Sequence, residues 1–175
     1  SNDIFSEISA GETEVWATQT DNTIWRRPID GTGEWTKINS GKLKKISINE
    51  QGYIWGIGSG DDKPWMRQDN ENSGWIQYGN SNDIFSEISA GETEVWATKN
   101  DNTIWRRPID GTGEWTEFSD NNGLAFNNIS IGNNYIWAIG TEKKSYIKPN
   151  NTTDPWVKKS NENFIDISAG EKEVW

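Results

Sequence analysis

An all-β fold of repeated four-stranded units is what this sequence predicts, and three observations predict it. Tryptophans recur in a fixed register along the 175 residues. Short runs rich in Ile, Val, Trp and Thr, four per unit of about 40 residues, are separated by Gly, Asp and Asn turns. No window carries a sustained helical period.

The register comes first. The leading tryptophan of each unit is Trp16, Trp55, Trp96 and Trp137, with a fifth at Trp175, at intervals of 39, 41, 41 and 38. The second aromatic is Trp25, Trp65, Trp105 and Tyr146, and the third is Trp35, Trp75, Trp115 and Trp156. All 12 tryptophans fall in this pattern, so the period is not a by-product of composition. The units run over about 5–43, 44–84, 85–126 and 127–164, with a partial fifth at 165–175.

Within a unit the first strand is expected at "ISAG" (Ile8, Ile88, Ile167), "ISIN" (Ile46) and "ISIG" (Ile129). The second is "EVWAT" at Glu14 and Glu94, "YIWGI" at Tyr53 and "YIWAI" at Tyr135. The third is "TIWRR" at Thr23 and Thr103, "PWMR" at Pro64 and "SYIK" at Ser145. The fourth starts at the third tryptophan, as in "WTKI" at Trp35 and "WIQY" at Trp75. Four short strands per unit fit a β-propeller blade. "VWA" and "IWGI" are apolar on both faces, as a sheet with a neighbour on each side requires. In the first strand Ile8 and Ala10 point one way and the small Ser9 the other, which suits the strand where blades converge. The tryptophans are therefore read chiefly as packing between blades.

Residues 21–36 recur letter for letter at 101–116, so the duplicated module is a pair of units of about 80 residues. Residues 165–175, "IDISAGEKEVW", repeat the start of unit one. An open sheet edge and blade face invite a partner. Three arrangements satisfy them: a longer array, closure on a second copy in a homo-oligomer, or closure of the chain on itself.

Composition bounds the function. There are 27 acidic against 17 basic residues, a net charge of −10, which disfavours a nucleic-acid partner. No run of eighteen apolar residues is present, so no helical membrane span is expected. Histidine and cysteine are both absent. That excludes zinc sites of the usual kind and Cys- or His-dependent nucleophilic catalysis. No cofactor and no metal are expected. Sequons stand at Asn128, Asn150 and Asn151, and chance explains them in an Asn-rich chain.

The pattern "ISAGETEVWATQTDNTIWRRPIDGTGEWTKI" resembles a tectonin repeat. It has a strand ending in Gly, then "VW", a polar turn, an aromatic strand with basic residues, and a closing Trp. The resemblance covers essentially the whole chain. It implies a β-propeller that recognises glycans, including methylated sugars or bacterial surface saccharides in some members, often between adjacent blades. Other members are implied to be interaction scaffolds. Unit four departs from the pattern, with Tyr146 for the second Trp and "EKK" in the turn.

A basic residue follows the second aromatic by two positions, as Arg27, Arg67, Arg107 and Lys148. Positions two apart share a strand face. Trp25 with Arg27, Trp65 with Arg67 and Trp105 with Arg107 are thus candidate sugar sites, a plate for stacking beside a hydrogen-bonding fork. The alternative is a cross-strand pair with Glu14, Glu94 or Glu173, or stacking on a ring. Asp21, Asn22, Asp101 and Asn102 are secondary candidates for sugar hydroxyls or calcium, against the plainer reading of turn chemistry. "PIDGTGEW" at Pro28 and Pro108 lacks the pattern of a sialidase Asp-box and reads as a Gly-rich loop. No carboxylate pair stands apart from the repeat, so a glycosidase is disfavoured. The expected function is a multivalent, non-catalytic lectin; the alternative is a protein-interaction scaffold.

Overall fold

The computed structural model describes residues 4–68, 73–119, 122–150, 153–170 and 174. Glu173, Trp175 and Asn151 lie outside them. Among the described residues there is no helix, and sixteen strands form four antiparallel four-stranded sheets. The chain divides into two compact units, 1–84 and 85–175.

In the first unit one sheet holds β1 (Phe5–Ala10), β2 (Glu14–Gln19), β3 (Ile24–Pro28) and β4 (Thr36–Ile38). The next holds β5 (Leu43–Ile48), β6 (Tyr53–Gly58), β7 (Pro64–Gln68) and β8 (Ile76–Gln77). The second unit has β9 (Phe85–Ala90), β10 (Glu94–Lys99), β11 (Ile104–Pro108) and β12 (Thr116–Glu117). Its other sheet has β13 (Phe126–Ile131), β14 (Tyr135–Gly140), β15 (Ser145–Pro149) and β16 (Val157–Lys158). Every sheet is a simple up-and-down meander in chain order. The first strands begin upstream of the Ile-Ser motif, and each fourth strand begins one residue after the third tryptophan rather than on it.

Each first strand carries one extra residue against its neighbour, at Ser6, Lys44, Ser86 and Asn127. Such a bulge bends and twists a strand. In the duplicated sheets the bulged serine ties itself to the next strand, Ser6 Oγ donating to the Thr18 carbonyl and Ser86 Oγ to that of Thr98, both at 3.1 Å.

Sheets within a unit meet face to face through a common joint. Ser9 Oγ accepts from the Ile48 N–H at 3.0 Å, and Ser89 Oγ accepts from the Ile131 N–H at 3.0 Å. The small side chain expected at this strand position is therefore a hydrogen-bonding one. The glycine two residues later makes room. A Cβ on Gly11 would stand 2.9 Å from Ile48 Cδ1, and one on Gly91 would stand 2.6 Å from Ile131 Cδ1. Neither glycine has the positive φ that would demand it on backbone grounds; size is the requirement.

Around each joint lies an apolar seam. Trp16, Ile24, Leu43, Ile46, Ile48 and Ile54 form one in the first unit, with Ile38, Trp65 and Trp75 against it. Trp96, Ile104, Phe126, Ile129, Ile131, Ile136, Ala138, Tyr146 and Trp156 form the other. Burying one such side chain contributes about 1.5–3 kcal/mol, against about 1 kcal/mol for a hydrogen bond. The seam therefore supplies the energy, and the serine supplies the alignment.

Ser89→Ala should lower stability by about 1 kcal/mol. Gly91→Ala should lower it by about 1–3 kcal/mol through overpacking. Both are read from denaturation midpoints, and midpoints equal to that of the unsubstituted chain would remove the joint from this account.

Candidate functional site

The candidate residues lie on the third strand of each sheet and on the turn before it. In the first sheet the turn is built by Asp21, whose Oδ1 accepts from Thr23 N at 3.0 Å and from Thr23 Oγ1 at 2.6 Å. Asn22 takes a left-handed φ of 64°, a conformation Asn tolerates better than most residues. Asp101 and Thr103 repeat the arrangement, with contacts of 3.1 and 2.6 Å and Asn102 at φ 66°. The relay then reaches the second aromatic. Trp25 Nε1 donates to Thr23 Oγ1 at 3.0 Å, and Trp105 Nε1 donates to Thr103 Oγ1 at 2.8 Å. The plain turn reading of Asp21, Asn22, Asp101 and Asn102 thus has a visible geometric basis. Among the described residues no cluster of acidic side chains could hold a metal ion.

The hydroxyl of Thr103 holds the Asp101 carboxyl below its ordinary value of 3.8, and Thr23 does the same to Asp21. In the fourth sheet the relay is shortened. Tyr146 OH donates directly to Glu142 Oε1, and the phenol is pushed up to about 12, chiefly by that bond. Lys143 takes the left-handed turn position there, at φ 67°. The strand before the turn ends in Gly140, where a Cβ would stand 2.3 Å from Glu142 Oε2. Gly58 does the same for the second sheet, where a Cβ would stand 2.1 Å from Asp61 Oδ1. Changes in the turn are thus matched by changes in the strand it joins.

The basic partners sit elsewhere than strand spacing suggested. Arg27 lies over Trp35, its Cζ 5.7 Å from the ring, and Nη2 donates to the carbonyls of Gly31 and Gly33. Register explains this. Trp25 pairs with Lys37 and Arg26 with Thr36, so Arg27 stands opposite Trp35. Directly opposed residues are nearer than those two apart on one strand. Arg107 likewise donates Nε to Gly111 O at 3.0 Å and Nη2 to Gly111 O and Gly113 O. Arg67 lies between two rings, 5.4 Å from Trp16 and 5.7 Å from Trp75. Arg67, Arg107 and Lys148 are buried, and Arg27 is half-buried.

Of the carboxylates offered as alternative partners for these arginines, Glu14 and Glu94 pair with the neighbouring arginines instead. Glu14 lies 3.2 Å from Arg26, and Glu94 lies 3.3 Å from Arg106. Strand parity is the reason: Trp16 is opposite Arg26 and Val15 opposite Arg27, so Glu14 and Arg27 lie on opposite faces. Glu14 also accepts from Trp16 Nε1 at 3.0 Å, and Glu94 from Trp96 Nε1 at 3.1 Å.

Trp25, Trp65 and Trp105 are half-buried, with part of each ring left accessible. Lysines cover two of these rings, Lys37 Nζ at 5.8 Å from the Trp25 centroid and Lys99 Nζ at 3.6 Å from that of Trp105. The threonines and these lysines were missed from sequence; the spacing D-x-T-x-W, visible at Asp21 and Asp101, was the available signal. The sequon amides are engaged, Asn128 Nδ2 donating to Asp166 Oδ1 and Asn150 Nδ2 to the carbonyls of Gly132 and Asn133.

A family model for the tectonin domain matches residues 3–160. No curated protein matches the sequence. Among solved structures, the chain is similar to Prp20p from Saccharomyces cerevisiae, with 11% identity over 98% of this chain and 55% of that one and a TM-score of 0.69. It is similar to human WBSCR16, with 7% identity over 98% and 57% and a TM-score of 0.71. It is also similar to YCF48 from Cyanidioschyzon merolae, with 16% identity over 96% and 64% and a TM-score of 0.61. The chain spans less than two thirds of each of these proteins. At such identities the likeness is one of fold, that of the β-propeller.

The relay makes a testable claim about charge. Because the folded-state value of Asp101 is depressed, its contribution to stability is full above 3.8 and is lost as the pH falls through the lower folded value. A carboxyl titration followed by NMR should place the Asp101 midpoint below 3.8, and Thr103→Val should raise it. An unmoved midpoint would show that the hydroxyl does not hold the charge.

Proposed function

The chain belongs to the tectonin-domain family, and from that premise we propose that it is a non-catalytic, multivalent carbohydrate-binding lectin. The observation that carries the reading is the repeated placement of the second aromatic. Trp25 and Trp105 are each fixed at the indole N–H by a Thr–Asp relay and left partly accessible beside an acidic turn. Trp65 stands partly accessible at the same position, after the turn whose Asp61 Oδ1 accepts from Lys63 N at 3.1 Å.

In this reading a sugar ring lays its C–H face on an indole that is already oriented, displacing the lysine that covers it. The side chains of Asp21, Asn22, Asp101 and Asn102 offer hydrogen bonds to hydroxyls. Arg27 is the one arginine of the set with solvent access on its own strand; Arg67 and Arg107 act from behind, holding ring and loop in place. Equivalent weak sites on one chain gain avidity by repetition. Glycans, not nucleic acid, are the partners this surface fits, since the chain carries a net charge of −10.

A second reading is a protein-interaction scaffold. It is favoured by one similar structure, described as YCF48 bound to a D1 peptide, with 14% identity and a TM-score of 0.59.

Glycan-array binding that free sugar competes is the expected result. Trp25→Ala combined with Trp105→Ala should weaken it by about tenfold or more, because one stacked aromatic contributes about 0.5–1.5 kcal/mol beyond its area. The melting transition should stay within a few degrees. Undiminished binding by the double variant would reject these positions, and capture of a protein that sugar does not displace would favour the scaffold.

A further inference from the structure

The two duplicated sheets are almost the same text, and they part company around the second aromatic. Residues 1–36 and 81–116 differ at two positions, Gln19 against Lys99 and Thr20 against Asn100. The next residue differs as well, Lys37 against Glu117. Lys37 pairs with Trp25 across β3 and β4, and its Nζ lies 5.8 Å from the ring centroid. Glu117 takes that place opposite Trp105. Gln19 Oε1 accepts from Thr23 Oγ1 at 3.2 Å and so joins the relay. Lys99, its counterpart, sets Nζ 3.6 Å from the Trp105 centroid. A further difference comes from the residue before β5. Lys42 Nζ donates to the Asp21 carbonyl at 3.3 Å. Backbone bonds identify its counterpart: the Leu43 N–H donates to Asn22 O and the Phe126 N–H to Asn102 O, so Ala125 stands where Lys42 does.

The charge around the ring is therefore inverted. Trp25 has the carboxylate of Asp21 with two ammonium groups, those of Lys37 and Lys42. Trp105 has the carboxylates of Asp101 and Glu117 with one ammonium group, that of Lys99. Every other charged residue of 1–36 recurs unchanged in 81–116, so none of them offsets the difference. The turn carboxylates register it. Asp21 is lowered chiefly by the Thr23 hydroxyl and further by Lys42 and Lys37, whereas the lysine that acts on Asp101 is Lys99. Lys37, Lys42 and Glu117 are all exposed and open to a ligand.

We propose that the two sites sort glycans by charge: the Trp25 site takes a sugar bearing an anionic group, a carboxylate or a sulfate, and the Trp105 site takes an uncharged one. The inference rests on the lectin reading above and gives it a ligand class. A sugar stacked on Trp25 moves Lys37 off the ring and leaves it, with Lys42, to bind the anionic substituent through charge-assisted hydrogen bonds. At Trp105 the displaced Lys99 has Asp101 and Glu117 to neutralise it, and Glu117 repels an anion where Lys37 attracts one. These groups are exposed, so the preference is moderate and is screened by salt. One contact between unit charges about 4 Å apart in water amounts to about fivefold in affinity.

Single charge reversals exchange the two characters. Binding is read on a glycan array of matched sets, a neutral hexose glycan beside the same glycan with a uronic acid or with a sulfate, as an acidic-to-neutral ratio. Lys37→Glu should lower that ratio by about fivefold or more, and Glu117→Lys should raise it by a similar factor. Trp25→Ala should lower it and Trp105→Ala should raise it. Lys159→Glu makes the same change in net charge as Lys37→Glu, in the fourth sheet, and should leave the ratio unchanged. Circular dichroism checks that each variant retains the parent strand signal. The proposal is overturned if Lys37→Glu leaves the ratio where it was, if Lys159→Glu lowers it as far, or if Trp25→Ala and Trp105→Ala shift it alike. Those outcomes leave the lectin reading standing, because sugar is still bound. Absence of any sugar-competed binding by the unsubstituted chain removes both.

Discussion

The close approach of one sheet to the next within a unit, at Ser9 and at Ser89, is the constraint that everything else in a unit answers to. A four-stranded meander with apolar residues on both faces cannot shed its water until a neighbour covers it. The neighbour must come near enough for a side-chain oxygen to reach a backbone N–H at 3.0 Å. That distance admits no side chain at Gly11 or Gly91, and it fixes which isoleucines interlock. The motif Ile-Ser-x-Gly is the sequence trace of this geometry.

The three aromatic positions divide the remaining work. Trp16, Trp55 and Trp96 are buried, and Trp16 and Trp96 fill the seams. The third position, at Trp35 and Trp75, takes a guanidinium against its ring, from Arg27 in one sheet and Arg67 in the other. The second position is partly exposed in the duplicated sheets, its N–H satisfied by a threonine and its ring covered by a lysine. Two adjacent arginines serve opposite faces of one strand: Arg26 joins Glu14 and Trp16, while Arg27 ties down the loop that follows. The doubled "RR" is therefore two different tools placed side by side.

The fold was largely legible in the sequence because its signals are periodic and each is repeated. The four strands per unit and the burial of Trp16, Trp55 and Trp96 follow from tryptophan spacing and turn chemistry. The limits were local. Parity along β2 and β3 decides that Glu14 meets Arg26, and the register of β3 with β4 decides that Arg27 meets Trp35. Both need the pairing of neighbouring strands, which spacing within one strand does not contain. The Thr–Asp relay was present as D-x-T-x-W, but a turn that satisfies its own backbone looks the same in sequence whether or not it also orients an indole.

The fourth strands are two or three residues long. A strand so brief exposes few free backbone donors and acceptors along its outer margin, which limits lateral zippering into fibrils. A chain that repeats itself almost verbatim is otherwise well suited to mispairing with its own kind.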